Sequence, residues 1–360
     1  MLRTDDNPNK AVTECSTVET IYRDLRSKLH DVIPDFELRD KAVLAHEIHR
    51  LKRERDAVIL AHNYMEPALY HSVPDFAGDS FELSRKAAET DAAVIVFCGV
   101  RFMAETAKIL NPGKTVLLPS AQGGCSLASS ITAADVRELK RRFPGVPVVA
   151  YINTYAEVKA EVDVCCTSGN AVAVVESLDS DTVIFVPDEY LARNVAKETG
   201  KHIIVPTRSA SGQLEETELE HGLVGWPGLC EVHEKFTVDD IEAARRQFTD
   251  VVVLAHPECS PSVVGAADFS GSTSAMIKHV RNSTGGRYLL LTECSMGDNI
   301  AASNPDKEIL RLCSVRCPHM NEITLDETLS SLRLNRYEVE VPEGIRVRAV
   351  RSIERMLEIA

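Results

Sequence analysis

Three cysteines in this sequence each close a short turn: Gln122-Gly-Gly-Cys-Ser-Leu127, Trp226-Pro-Gly-Leu-Cys230, and Cys317 in Arg311-Leu-Cys-Ser-Val-Arg-Cys-Pro-His-Met320. Each turn leads into residues that read as helix. Cys125, Cys230 and Cys317 therefore stand at helix mouths, where unpaired backbone N–H groups and the positive end of the dipole favour a thiolate. Three thiols suit a 4Fe-4S cubane that keeps one iron free of protein. Such an iron is a Lewis acid that can hold a carboxylate or hydroxyl and help water leave. Plain burial, a frequent fate of cysteine, accounts for the same residues equally well. Cys98, Cys165, Cys166, Cys259 and Cys294 lie in or beside apolar strands and read as core, while Cys313 reads either way. The ten cysteines lack the Cys-x-x-Cys pairs of a zinc ribbon, and in a reducing compartment they are not expected to form a disulfide framework.

A second set of residues could move protons. His62, Tyr64, Tyr151, Asn153, His256 and Glu258 all fall where apolar runs end. A histidine there can serve as a structural hydrogen-bonder or as an acid–base group near neutral pH, with Tyr and Glu as partners. Two histidines at matching points of separate repeats, the second followed by a carboxylate two residues on, favour chemistry. Asp79-Ser80, Thr167-Ser168 and Ser272-Thr273 precede helix-like segments, as an anion site or as simple N-caps. His71, His233 and His319 make weaker cases.

These residues need elements to hold them. Apolar runs at 57–61, 93–97, 147–151, 182–186, 251–255 and 288–292 read as buried parallel strands, each followed by a helix-like segment. Alternation of this kind implies α/β layers with right-handed crossovers, and ligands gather at the carboxyl ends of such strands. Lys41–Arg55 and Ile345–Ile359 have helical spacing, and 337–342 reads as a short edge strand. A longer period of roughly 90 residues is superimposed on these elements. It carries His62, Asn153 and His256 at equivalent points, and Cys125, Cys230 and Cys317 at others. The expected fold is α/β: three similar three-layer α/β/α domains around a pseudo-threefold axis, with cluster and active site at the centre. The domains are placed at 36–122 (completed by 315–334), 123–228 and 229–314. A loosely attached arm at 1–35, with one short helix near Val18–Leu29, precedes them, and a strand and helix at 335–360 follow.

Length and charge narrow the field. The chain has 360 residues, 44% of them hydrophobic, enough for two or three cores. A formal charge of -14 argues against nucleic acid and anionic membranes, which need clustered Lys and Arg. No apolar run approaches the roughly 20 residues of a membrane span. Met1-Leu-Arg-Thr-Asp-Asp6 lacks the pattern of a signal peptide. A cytoplasmic protein is expected.

Taken in order, Ala61-His-Asn-Tyr64, Ala77-Gly-Asp-Ser80, Phe102-Met-Ala-Glu-Thr106, Gly124-Cys-Ser-Leu127, Tyr151-Ile-Asn153, Cys166-Thr-Ser168, Trp226-Pro-Gly-Leu-Cys230, His256-Pro-Glu-Cys259, Gly271-Ser-Thr-Ser274 and Cys317-Pro-His-Met320 resemble the quinolinate synthase family. The match runs from about residue 40 to 332 and is highly specific. The resemblance implies three similar α/β domains around one 4Fe-4S cluster held by Cys125, Cys230 and Cys317, with the fourth iron open to substrate. It implies condensation of iminoaspartate with dihydroxyacetone phosphate to quinolinate, with loss of phosphate and two waters, in NAD biosynthesis. The matching substrate-binding positions are His62, Ser80, Met103, Tyr151, Asn153, Ser168, His256, Glu258 and Thr273. Catalytic roles would fall to His62, Tyr64, Tyr151, His256 and Glu258. An L-aspartate oxidising enzyme is the expected transient partner. The chain departs from the family pattern in an insertion at 206–223 and in Cys313, a thiol competing with Cys317. Rival readings are another open-iron hydro-lyase and an iron-sulfur redox sensor.

Overall fold

The computed structural model describes residues 17–204, 207–208, 214–215, 228–312 and 314–359. Residues 1–16 of the arm, Trp226, Pro227, Cys313 and most of the 206–223 insertion lie outside the described residues. The chain divides into two compact units, Met1–Gly123 with Ile277–Glu340, and Gly124–Met276 with Val341–Ala360.

The first unit contains a parallel sheet of β1 (Ala57–His62), β2 (Phe76–Gly78), β3 (Val94–Cys98) and β4 (Thr115–Leu117) in the order β2-β1-β3-β4. Every residue of β3 is buried, as expected for a strand written as one unbroken apolar run. Helix Asp35–Glu54 packs on β1, and helix Leu325–Leu334 packs on both that helix and β3. Leu25, Leu29, Leu38 and Ile48 have no exposed surface. Helix Val18–Leu29 has the bounds read from the sequence, but it is not loosely attached. It buries Ile21, Tyr22, Leu25 and Leu29 and packs against helix Asp35–Glu54. The segment expected as an edge strand at 337–342 contributes a single antiparallel bridge, Glu338 to Leu117. This unit also holds the parallel pair Arg287–Leu291 and Glu308–Arg311.

The second unit repeats the strand order in β5 (Val148–Tyr151), β6 (Val164–Cys166), β7 (Thr182–Val186) and β8 (His202–Ile204), arranged β6-β5-β7-β8 and all parallel. It also carries the parallel pair Val252–Ala255 and Phe269–Ser270. Helix Glu343–Glu358 packs on β6 and on helix Ala156–Lys159. Within the insertion, Thr207–Arg208 and Leu214–Glu215 pair antiparallel.

One local device occurs three times. Asp75, Asp163 and Asp268 each stand immediately before the second strand of a repeat. Each carboxylate accepts the backbone N–H of a first-strand or adjoining residue, Ile59, Val148 and Val253, at 2.8 Å. Each also pairs with a cation 23 residues upstream: Lys52 at 2.8 Å, Lys140 at 2.9 Å and Arg245 at 2.9 Å. The carboxylate therefore ties the helix that enters a repeat to its first two strands. The same tie thus occurs before β2, before β6 and before Phe269–Ser270.

Candidate active site

In the first unit, β1 ends at His62 and the chain turns at once. The turn is set by the side chain itself: the Tyr64 N–H donates to His62 Nδ1 at 3.3 Å, which leaves the proton on Nε2. The two rings meet edge to face with centroids 4.6 Å apart. The Tyr64 hydroxyl is 2.6 Å from Thr292 Oγ1, and the Asn299 amide clamps the loop by donating to the Asn63 and Met65 carbonyls. Met103 is buried in helix Arg101–Leu110, where Gly99 leaves room for its sulfur. Ser80 opens helix Ser80–Glu89, whose cap is Asp79 with its carboxylate on the Phe81 and Glu82 N–H groups. Asp79 thus takes the bland role of an N-cap, and Ser80 is half-buried beside it.

The second unit assembles a tighter cluster. Glu258 follows the Val252–Ala255 strand and is buried. Its Oε1 accepts from the Tyr151 hydroxyl at the end of β5, and its Oε2 accepts from His233 Nδ1 at 2.9 Å. The His256 and His233 rings stack with centroids 4.5 Å apart. The Glu258 N–H donates to His256 Nδ1 at 3.3 Å, the same lock as at His62, so His256 carries its proton on Nε2, 3.3 Å from Ser168 Oγ. Asn153 Oδ1 is buried without a hydrogen-bond partner among the described residues. Thr273 is buried at the start of helix Thr273–Asn282, beside Ser272, which caps it through the Ala275 N–H.

Electrostatics separate two buried carboxyls. Burial acts to raise Glu258, but the His233 charge, the His233 hydrogen bond and the Tyr151 hydroxyl outweigh it and hold Glu258 well below the usual carboxylate range. Asp188, fully buried at the cap of helix Glu189–Thr199, is pushed far up by burial and then by the Glu258 charge.

The thiols sort by accessibility. Among the described residues Cys98, Cys165, Cys166, Cys259 and Cys294 are buried, whereas Cys125, Cys230 and Cys317 are partly exposed. Burial pushes Cys98 up to about 12 and raises Cys165 and Cys166. The three accessible thiols each precede helical backbone: Cys125 caps Ser126–Ser129, Cys317 precedes Pro318–Asn321, and Cys230 stands just before the turn His233–Lys235. The Cys317 N–H also donates to the buried Glu293 carboxyl. One expectation fails. The turn does not by itself favour a thiolate at Cys230, because burial and then the Glu258 charge outweigh the His233 and Val232 N–H groups, and Cys125 adds to the rise. Two neighbouring thiols and a carboxylate that disfavour one another's charge form a donor set that a cationic centre relieves. They therefore fit an iron-sulfur cluster. Cys230, His233 and Glu258 place donor atoms within 4.8 Å of one another.

His233 was undervalued by sequence reasoning. Its position three residues after Cys230, one helical turn on, was the available signal. Thr292 and Asp188 stand at the ends of the apolar runs 288–292 and 182–186, as His62 and His256 do at theirs, but only the fold brings them to Tyr64 and Glu258.

A parallel α/β chain that buries an ionised carboxylate among two histidines and a tyrosine, with accessible thiols on helical turns, has the make-up of a metal-dependent enzyme. The sequence profile described as Quinolinate synthetase A protein matches residues 46–358. Quinolinate synthase of Sinorhizobium fredii is 49% identical over 354 residues, covering 98% of this chain and 92% of that one. Quinolinate synthase 2 of Mesorhizobium japonicum is 51% identical over 344 residues (96% and 100%). The Agrobacterium fabrum quinolinate synthase is 54% identical over 312 residues (87% and 84%). The chain belongs to the quinolinate synthase family, a family of enzymes for which an iron-sulfur cluster is implied. No helix among the described residues is long and apolar enough to cross a membrane.

Proposed function

We propose that this chain condenses iminoaspartate with dihydroxyacetone phosphate to quinolinate, releasing phosphate and two waters, in the cytoplasm as a step of NAD biosynthesis. The names of relatives about half identical over nearly the whole chain support this reading. The observation that carries it is the sorting of the thiols: Cys125, Cys230 and Cys317 are the partly exposed ones among the described cysteines, and each leads into helical backbone. The reading includes the arrangement expected from the sequence, three α/β domains around a pseudo-threefold axis with the three cysteine turns at the centre. An L-aspartate oxidising enzyme is the proposed supplier of iminoaspartate.

Cys125, Cys230 and Cys317 would hold a 4Fe-4S cluster, which when bound supplies a Lewis-acidic iron able to bind carboxylate and hydroxyl oxygen. The rest of the work belongs to side chains. Glu258, held ionised, is an acceptor that orients the Tyr151 hydroxyl on its Oε1, and that hydroxyl can donate to or relay a proton for the substrate. His256, locked with its proton on Nε2, is presented as a hydrogen-bond donor, with Ser168 beside it. Asn153 Oδ1 offers a buried acceptor to a substrate N–H or O–H. His62, Tyr64, Ser80, Met103 and Thr273 complete the proposed contacts, with the hydroxyls of Ser80, Ser168 and Thr273 orienting carboxylates and phosphate.

The test is iron and acid-labile sulfide per chain in protein prepared without oxygen, followed by turnover of both substrates. About four of each are expected in the parent. Cys125→Ser, Cys230→Ser or Cys317→Ser should lose most of it, and Cys98→Ser should keep it. Phosphate released in step with quinolinate separates this activity from a simple hydro-lyase. An iron-free parent, or condensation unaffected by all three variants, overturns the proposal.

A further inference from the structure

We infer that, when the chain carries no cluster, Cys230, His233 and Glu258 form a binding site for a single soft divalent cation, zinc above all, and that the occupied site blocks cluster assembly. The cation would be bound through one sulfur, one nitrogen and one oxygen. His233 Nδ1 lies 3.2 Å from Cys230 Sγ and 2.9 Å from Glu258 Oε2, and all three donor atoms lie within 4.8 Å of one another. Around a tetrahedral zinc with metal–sulfur and metal–nitrogen bonds of about 2.3 and 2.0 Å, neighbouring donors stand about 3.3 to 3.6 Å apart. The three atoms reach that spacing with shifts of about an ångström. The His233 N–H now pointing at the carboxylate occupies the direction that a metal bond would take.

The surroundings favour a metal as well. Glu258 keeps its free oxygen on the Tyr151 hydroxyl and the His233 ring is stacked on His256, so two of the three ligands are already held by outer contacts. Both side chains are buried, and Cys230, partly exposed, leaves an approach. A thiolate and an imidazole select zinc over magnesium or calcium, which prefer oxygen alone. Binding converts the Cys230 thiol to thiolate and strips His233 Nδ1 of the proton it now donates to Glu258, and both protons pass to solvent. Thiolate and carboxylate then neutralise the dication.

The block on cluster assembly rests on the reading that Cys230 is a cluster ligand, whereas the zinc site stands without it. Full-length chain freed of iron by chelation would be titrated with zinc, and with cobalt for its visible spectrum. One zinc per chain is expected, with a tetrahedral cobalt spectrum of one-thiolate intensity. Cys125→Ser and Cys317→Ser should bind like the parent. His233→Asn should weaken binding by more than about 100-fold, since outer partners alone are worth about 10- to 100-fold. Tyr151→Phe, which leaves every ligand in place, should weaken it by about 10-fold. Zinc-loaded chain should resist iron and sulfide reconstitution until a chelator is added. Absence of binding, or affinity that follows Cys125 and Cys317 instead of His233 and Tyr151, overturns the site. Reconstitution of zinc-loaded chain at the zinc-free rate overturns the block. Failure of the cluster reading shows separately, as parent protein without iron, and leaves the zinc titration unchanged.

Discussion

His71 gives a sharp test of how the first unit bears a buried titratable group. It caps helix Pro67–Tyr70, is 1% exposed, and neither ring nitrogen finds a hydrogen-bond partner among the described residues. Burial, then the Lys28 charge, lowers it from 6.5 to about 3, and the nearby Asn299 backbone offsets little. The folded ring is neutral down to about pH 3, while in the unfolded chain it takes a proton near 6.5. Between those values the unfolded state binds more protons, so this contribution is complete above 6.5 and is lost as pH falls. The full difference amounts to about 4 to 5 kcal/mol, of which about 2 kcal/mol is lost between pH 7 and 5. His71→Leu keeps the site apolar and removes the titration. Urea unfolding at the two pH values should show the parent losing about 2 kcal/mol more than the variant. The comparison cancels the contribution of His49, also lowered, to about 4. Proton NMR of the His71 ring, assigned through the variant, should show no titration above about pH 4. A ring titrating near 6.5, or equal acid losses in the two proteins, refutes the reasoning.

Two further outcomes follow from hydrogen bonds already described. Tyr151→Phe removes a donor from an ionised, buried carboxylate, worth about 1.5 to 3 kcal/mol. The Glu258 carboxyl should therefore rise by about 1 to 2 pH units and kcat/KM should fall about 10- to 100-fold. A variant with the parent's kcat/KM would show that this hydrogen bond does not serve the reaction. Asp75→Asn, Asp163→Asn and Asp268→Asn each weaken one carboxylate's ties to a strand N–H and to a cation, which is largely buried at Lys52 and partly exposed at Lys140 and Arg245. Each should cost about 1 kcal/mol in thermal or urea unfolding. Costs differing by several kcal/mol would show that the three devices are not equivalent.

The regular elements were legible where a run was long or strongly patterned. The strand 182–186 and the helix Val18–Leu29 have the bounds read from the sequence. β2, β4 and β6 are only three residues each, too short for any periodicity, and they form because a neighbouring strand supplies the partner. The attachment of the first helix was hidden for a similar reason. Ile21, Leu25 and Leu29 lie on one stripe, but a stripe does not say what covers it. The aspartate device was available as a recurrent interval from a cation to an acidic residue, and was missed because charges at such separation resemble ordinary surface. His62 and His256 were found by their place at strand ends. Their shared tautomer could not be read, since it depends on a backbone N–H folding back over two residues.

Glu258 and Asp188 show how this site limits its own negative charge. Both are buried, and the Glu258 charge is among the causes that raise Asp188. Two ionised carboxylates at such proximity are unfavourable, and the environment decides which one keeps its charge. Glu258 has a tyrosine hydroxyl and a histidine N–H on its two oxygens. Asp188 has the Leu191 N–H on Oδ1 and no partner on Oδ2 among the described residues. The first is therefore held as the carboxylate and the second as the acid. The same rule governs Cys230, raised first by burial and then by the Glu258 charge. The second unit thus favours the ionised form at Glu258 and disfavours it at Asp188 and at the Cys230 thiol. On the zinc proposal, a bound cation would offset the Glu258 charge beside that thiol, so that metal binding and deprotonation of Cys230 would be a single event.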